Sequence, residues 1–293
     1  MPHNMIVLAK QVPDTKNITG QAMKEDGTVN RAALPAIFNP EDLNALEMAL
    51  QVREQYGGRV TVVMMGPPSA AEQLREALMR GADAAILVTD KRFAAADTLA
   101  TAYALSCAIN KIGPFNIILC GRQAIDGDTA QVGPQVAGKL DIPQVTYVEE
   151  IRNLAADTLT ARRNIEGGYE IVQTPLPALL TVVAAANEPR PPMAKCLMQY
   201  KKARTATEVR RALQGPEADN EIERLRERGL LITEWSVEAI SADEGSCGMA
   251  GSATRVMKIH SVVLTAGAQK TIAPTKAALG ELVRELVADH ALE

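Results

Sequence analysis

Short apolar runs and amphipathic stretches alternate along the first 140 residues of the chain. A polar segment around Asp26-Gly27-Thr28 interrupts them and predicts a hairpin or an excursion. The amphipathic stretches carry apolar residues every three or four positions, which is the spacing of one helix face. The apolar runs have the length of buried strands and lie at residues 5–9, 59–65, 84–88 and 115–119. This alternation predicts an α/β fold with a parallel sheet and right-handed crossovers.

The chain changes character after residue 140. From Thr205 onward the composition differs, and residues 217–228 alternate acids and bases as on a helix that faces water. Residues 241–252 are rich in glycine, serine and acids, so we expect a mobile linker there. We therefore expect a nucleotide-binding α/β domain at 1–204 and a C-terminal extension with an arm at 205–293. Shorter apolar runs predict further strands of the same sheet at residues 143–151, 159–163, 170–172 and 178–183.

Composition excludes several classes of function. The 293 residues are 47% hydrophobic and carry a net charge of -4, so the chain is globular and offers no basic field for nucleic acid. No apolar run approaches the roughly 20 residues of a transmembrane segment, and no secretory signal is recognisable, so we expect a cytoplasmic protein. The four cysteines and three histidines are scattered, which predicts neither a metal site nor a catalytic residue.

Residues 120–137 are the most informative stretch. They form a glycine-rich turn between a buried strand and a helix face, where Gly121, Gly127 and Gly133 let the backbone approach a ligand. The unpaired N–H groups at the start of that helix favour a phosphate. The short polar side chains of the turn can cap the helix or bind ribose and phosphate hydroxyls: Asp126, Asp128, Thr129 and Gln131. An ordinary capped loop is the alternative.

Two other helix starts contain candidate ligand-binding residues. Asn39, followed by Pro40 and two acids, predicts a helix start with Asn39 as its cap. Asp97 is predicted to cap a second helix. Thr98 and Thr101 then lie together on one face of its first turn, where they can hold a pyrophosphate. The alternative is a routine capped helix that packs Leu99. The first strand is followed by neither G-x-G-x-x-G nor a P-loop.

Residues 121–134, with the sequence Gly-Arg-Gln-Ala-Ile-Asp-Gly-Asp-Thr-Ala-Gln-Val-Gly-Pro, closely resemble the signature segment of the electron-transfer flavoprotein beta subunit. The run Lys-Gln-Val-Pro-Asp-Thr at residues 10–15 is also similar to that family, and the resemblance extends from Met5 to about Lys202. It implies a Rossmann-like sheet of the adenine-nucleotide-binding type, with a C-terminal arm, in the beta half of a heterodimer.

The resemblance also implies a cofactor site. Thr98 and Thr101 would take the pyrophosphate of the cofactor. The other residues expected along the nucleotide are Leu8, Ala9, Asn39, Asp42, Met65, Gln123, Asp126, Gly127, Asp128, Thr129, Gln131, Val132, Gly133, Pro134 and Gln135.

The run Ala-Asp-Thr-Leu-Ala-Thr at residues 96–101 looks like that of beta subunits that hold a whole FAD rather than AMP. The resemblance then implies flavin-based electron bifurcation. Hydride would arrive from NADH, and one electron would leave to ferredoxin or flavodoxin. The other would pass through the alpha-subunit FAD to an acyl-CoA dehydrogenase or a quinone-linked partner, and the reverse direction would use the same site. Two alternatives stay open: a non-bifurcating beta subunit with structural AMP, and a nucleotide-sensing regulatory module.

Two segments are candidates for partner contacts. The proline-rich stretch at 187–197 predicts a stiff surface excursion, which in this family docks the partner dehydrogenase, with Met193 and Leu197 as apolar anchors. A structural loop is the alternative. The apolar stripe at residues 276–287 predicts an amphipathic helix, which the resemblance places against the alpha subunit: Leu279, Leu282, Val283 and Leu286.

Overall fold

The computed structural model describes residues 2–14, 34–254 and 271–288; the hairpin predicted around Asp26 lies outside them. Within these ranges, ten strands form one sheet in the order β11-β12-β5-β4-β1-β6-β10-β7-β8-β9. Its strands are β1 (His3–Ala9), β4 (Gly58–Met65), β5 (Ala84–Val88), β6 (Ile117–Gly121), β7 (Gln144–Leu154), β8 (Thr158–Ile165), β9 (Gly168–Pro175), β10 (Ala178–Val182), β11 (Arg204–Thr205) and β12 (Leu231–Trp235). A small antiparallel pair, β2 (Gln11–Pro13) and β3 (Ala36–Phe38), follows β1.

The sheet is parallel from β11 to β7 and antiparallel only at β7, β8 and β9. The predicted Rossmann-like α/β fold is therefore confirmed. The helices are α1 (Pro40–Tyr56), α2 (Ala71–Arg80), α3 (Thr98–Ile112), α4 (Val132–Leu140), α5 (Ala194–Tyr200), α6 (Ala206–Ala212), α7 (Pro216–Glu227), α8 (Gly248–Gly251) and α9 (Lys276–Ala288).

Both faces of the sheet are covered, which explains the continuous apolar runs in its strands. Along β1, Met5 and Val7 join a core with α1 and α2, whereas Ile6 and Leu8 join a second core with α3 and α4. All four side chains are buried because successive residues of a strand point to opposite faces.

The strand order reverses at β1. The chain passes from β1 outward through β4 and β5, and α3 then carries it back across the sheet to β6 on the other side of β1. The carboxyl ends of β1 and β6 therefore flank a topological switch point, where open α/β sheets bind their ligands.

The C-terminal extension contributes to the same sheet. β12 pairs with β5 and β11 pairs with β12, while α7 buries Ala218, Ile222 and Leu225. The division between residues 204 and 205 thus falls inside β11, the edge strand of the main sheet, and the two-domain description stays a prediction.

The prediction of a mobile linker at residues 241–252 is wrong. This segment packs against α3: the Asp243 N–H donates to Tyr103 Oη over 2.9 Å, and Cys247 is 1% exposed. Its glycines serve close packing, since a Cβ on Gly248 would lie 2.0 Å from the carbonyl oxygen of Arg92. A glycine-rich composition therefore marks tight contact here.

Candidate nucleotide-binding site

The first turn of α1 holds the loop that follows β6. Asn39 is completely buried; its Nδ2 donates to the Gln123 carbonyl over 2.9 Å, and its Oδ1 accepts from the Ile125 N–H at 3.2 Å. Asn39 occupies the cap position before Pro40, as predicted, but its side chain caps no described amide of α1. It is committed instead to the signature loop, and the predicted capping bond is wrong for that reason.

Asp42 joins the two strand ends at the switch point. Its carboxylate accepts from the Lys10 N–H at 2.9 Å and from the Gly121 N–H at 2.8 Å, so it ties the end of β1 to the end of β6. Burial raises the pKa of Asp42 to about 7, although hydrogen bonds from these two amides act in the opposite direction. Asp42 therefore shapes the walls of the crevice.

Two of the three motif glycines are required by packing within the protein. A Cβ on Gly121 would lie 2.6 Å from Asp42 Oδ1, and one on Gly133 would lie 2.8 Å from Cys120 Sγ. At Gly127, by contrast, an added Cβ would meet no described atom within 4 Å. Contact with α1 and with the sheet is therefore sufficient to require glycine at 121 and 133.

The signature loop is held by polar contacts. Lys10 Nζ lies 2.7 Å from both carboxylate oxygens of Asp126, and Gln123 Nε2 donates to Asp128 Oδ1 over 3.0 Å. Asp128 adopts a left-handed conformation at φ 48°, which an aspartate tolerates better than most residues. Neither aspartate is the cap of α4, because that helix begins only at Val132.

The beginnings of α3 and α4 meet. Thr98 Oγ1 donates to Oε1 of Gln131 over 3.0 Å, which connects the first residue of α3 with the residue that precedes α4. Thr101 lies one turn further along α3, and both threonines are partly exposed. The two helix starts that the sequence singles out are therefore adjacent in space.

The two helix starts differ in how their amides are satisfied. Asp97 caps α3 as predicted: its Oδ1 accepts from the Ala100 N–H at 3.0 Å. Within the described part of the chain, no side chain caps α4, so its first amides and the positive end of its dipole are available to an anion. Gln135 Oε1 is also buried without a described partner. The polar groups of the site thus suit a phosphorylated ligand: threonine hydroxyls from α3 and amides from α4.

The remaining predicted residues lie around this junction. Leu8 and Ala9 end β1, and Ala9 pairs with Met64, which places Met65 at the same edge of the sheet. The Leu8 side chain is buried in the core, so only the backbone of Leu8 can face the crevice at the carboxyl end of β1. Gly127 and Thr129 are exposed on the loop, and the first turn of α4 contains Val132, Gly133, Pro134 and Gln135.

The structure adds to the site several residues for which the sequence pattern predicts no role there. Glu41 Oε2 accepts from the Gln123 N–H at 3.0 Å, and its Oε1 lies 3.2 Å from the Arg122 guanidinium. Acids in a first turn are typical of helices, so the helix-start pattern explains Glu41 without any role in the loop. Ser252, the last residue of the segment predicted to be a linker, and Thr254 just beyond it contact Asp97.

The proline-rich stretch ends in a helix. α5 begins after Met193, whose N–H donates to the Met79 carbonyl over 2.9 Å, so the excursion is fastened to α2. Leu197 and Met198 on this helix are 41% and 72% exposed. α9 exposes Leu279 and Val283 in the same way, and its predicted helical stripe is confirmed.

These features define a class: an α/β protein whose mostly parallel, Rossmann-like sheet has polar loops at its switch point. The family model for the electron transfer flavoprotein domain matches residues 26–209. The chain belongs to the electron transfer flavoprotein family, among its beta subunits, and the resemblance seen in the sequence is confirmed.

Relatives support this assignment over most of the chain. The electron transfer flavoprotein subunit beta of Clostridium acetobutylicum is 40% identical over 287 residues, which cover 98% of this chain and 99% of the relative. Its counterpart in Thermoanaerobacterium thermosaccharolyticum is 53% identical over 192 residues, 66% of this chain and 72% of the relative. CarD, a subunit of the caffeyl-CoA reductase-Etf complex of Acetobacterium woodii, is 38% identical over 288 residues, 98% of each chain. Among the described helices, none is both long and apolar enough to cross a membrane.

Proposed function

We propose that this chain is the FAD-holding beta subunit of a heterodimeric, bifurcating electron-transfer flavoprotein. When bound, the flavin would accept hydride from NADH. It would pass one electron to a low-potential acceptor such as ferredoxin or flavodoxin, and the other to the FAD of the alpha subunit. The observation that carries this proposal is the contact between Thr98 and Gln131, which joins two helix starts beside the switch point.

The residues of the chain would divide the binding of FAD among them. The Thr101 hydroxyl would donate to the pyrophosphate, and so would the Thr98 hydroxyl after turning away from Gln131 Oε1, while the first amides of α4 would attract the negative charge. Asn39 and Asp42 would act mainly by fixing the loop and the strand ends, since their side chains bind the backbone there. Gln135 Oε1 would accept a hydrogen bond from the bound nucleotide.

Partner binding would use the exposed apolar surfaces. Leu197 and the neighbouring Met193 would contact an acyl-CoA dehydrogenase or a quinone-linked oxidoreductase, and the stripe on α9 would lie on the alpha subunit. The name of CarD associates that relative with a CoA-ester reductase, which supports a partner of this chemistry.

The alternative within the family is a beta subunit that holds AMP and leaves all redox chemistry to the alpha-subunit FAD. The paired threonines at the start of α3 favour the larger ligand, because a dinucleotide has a pyrophosphate for them to bind. Membership of the electron transfer flavoprotein family favours either reading over a nucleotide-sensing module.

The test is the nucleotide content of the purified heterodimer. Extraction and mass spectrometry should find two FAD molecules per heterodimer and no AMP, and NADH should bleach the flavin absorbance. One FAD together with one AMP would establish the non-bifurcating alternative. A chain that purifies without a flavin-containing partner but with ATP or AMP would point to the sensing module.

A further inference from the structure

The C-terminal extension contacts the residue that caps α3. The Asp97 N–H donates to Ser252 Oγ over 2.8 Å, and Asp97 Oδ2 accepts from both the N–H and the hydroxyl of Thr254, at 2.9 and 3.0 Å. The other carboxylate oxygen accepts from the Ala100 N–H. Asp97 is therefore held between the helix it caps and a segment 155 residues away.

This segment is itself firmly placed. The Ser252 hydroxyl donates to the Gly248 carbonyl at 2.7 Å, and Gly248 adopts φ 53° against the Arg92 carbonyl. A Cβ on Gly251 would lie 2.1 Å from the carbonyl group of Ser246, so this turn is tightly closed as well. The two hydroxyl residues thus project from a packed turn, and they can fix the position of Asp97.

The Asp97 carboxylate is an unfavourable neighbour for an anion. Burial alone would raise its pKa, but hydrogen bonds from Ala100 and Thr254 hold that pKa below its usual value, so the group stays charged. A negative charge at the start of α3 repels a pyrophosphate unless donors compensate it. The two donors of Thr254 point at Oδ2 and provide that compensation.

We infer that Ser252 and Thr254 are positioning residues of the cofactor site: they orient and shield Asp97, so that the start of α3 can bind the pyrophosphate of FAD. The inference rests on the proposed function and extends it, because it makes the C-terminal extension a determinant of cofactor binding. Neither residue need touch the ligand.

The experiment uses the intact heterodimer and compares Thr254→Val with Thr254→Ser. Valine keeps the shape but removes the hydroxyl donor, whereas serine keeps the donor. After dilution, FAD release is followed by flavin fluorescence. We expect Thr254→Val to release one of the two FAD molecules on the order of tenfold faster, as expected for the loss of one hydrogen bond to a charged group. Thr254→Ser should stay within about twofold of the wild type.

Ser252→Ala is the second variant and should also accelerate release of that one FAD. Thr233→Val changes an exposed threonine on β12 and should change neither release rate. The alpha-subunit FAD is an internal control, since a general loss of structure would accelerate both. Equal release from the wild type and Thr254→Val, or equal effects of valine and serine, would overturn the inference alone. A wild-type heterodimer with only one FAD would instead overturn the proposed function, and the inference with it.

Discussion

Thr98 on α3 and Gln131 at the start of α4 share a hydrogen bond of 3.0 Å, although the whole of α3 and β6 lies between them in the sequence. α3 crosses the sheet to reach β6, and α4 follows β6 directly. Because α3 begins at the carboxyl ends of the strands and α4 begins at the same edge, the topology brings the two starts together. A threonine hydroxyl and the amides of an uncapped helix thus face one crevice.

The first prediction concerns the two threonines of α3. Replacing both Thr98 and Thr101 by valine should remove FAD from the beta subunit, because under the proposed function their hydroxyls donate to the pyrophosphate, and valine lacks the hydroxyl while it keeps the side-chain shape. Only the alpha-subunit FAD should remain, as measured by flavin absorbance per heterodimer. The double serine variant retains both hydroxyls and should retain both FAD molecules. Two FAD molecules in the valine variant would refute the assignment.

The sequence predicts the capping of α3 by Asp97 because a cap involves only neighbouring residues. Although it misses β11, β12, α5, α6 and α8, it also predicts the order of the main strands and helices from β1 to β10, since buried strands and amphipathic helices have different periods. These features depend on local geometry, and the structure confirms them.

The sequence cannot predict which distant groups a polar side chain binds. Asn39 has the position of a cap, yet its amide binds Gln123 and Ile125, because β6 ends beside the first turn of α1. The contact of Ser252 with Asp97 depends in the same way on how the C-terminal extension packs against α3. Periodicity carries no information on such contacts.

The second prediction contrasts two glycines of the signature motif. Gly133→Ala should lower the free energy of unfolding by about 1–3 kcal/mol, because the new Cβ would lie 2.8 Å from Cys120 Sγ. Gly127→Ala adds a methyl group where no described atom lies within 4 Å, so it should be nearly neutral. Urea denaturation of the two variants measures the difference.

A rescue variant identifies the cause of this effect. Replacing Cys120 by Ala in the Gly133→Ala background removes the sulfur that the new methyl group meets, and should recover part of the lost stability. If the double variant is as unstable as the sum of the two single changes, the clash with Cys120 is not the cause.

The third prediction concerns pH. Burial raises the pKa of Asp42 to about 7, above its ordinary value of 3.8, so the folded chain holds this proton more tightly than the unfolded chain does. The contribution of Asp42 to stability is therefore fully present below about pH 4 and is lost as the pH rises to about 7. Its slope is at most about 1.4 kcal/mol per pH unit.

Asp42→Asn cannot titrate and should remove this decline. The wild type minus variant difference in unfolding free energy, measured in urea at several pH values, isolates the Asp42 contribution because the other groups titrate alike in both proteins. This difference in unfolding free energy should decrease from pH 4 to pH 7, because the wild type loses stability relative to the variant, and should then level off. Parallel curves would show that the ionisation of Asp42 is not coupled to folding.

The fourth prediction tests the surface of α5. Leu197 is 41% exposed, and the segment before the helix is held firmly: Arg190 Nε donates to Glu47 Oε2 over 2.7 Å, and Glu47 is buried. An apolar side chain on a fixed support can act as an anchor, since little conformational entropy is lost when a partner covers it. Leu197→Ala should therefore lower kcat/KM for reduction of the proposed partner, an acyl-CoA dehydrogenase, by about tenfold.

The same helix offers a matched control. Gln199 is exposed and polar, and Gln199→Ala should leave the rate unchanged. Both variants should keep their full FAD content and should reduce a small artificial acceptor at the wild-type rate, because the change affects docking and not the flavin. If Leu197→Ala slows the artificial acceptor as much as the dehydrogenase, the side chain supports the fold or the flavin site. A dehydrogenase rate equal to that of the wild type would instead leave α5 without a part in docking and would direct the search to the other exposed apolar surfaces of the subunit.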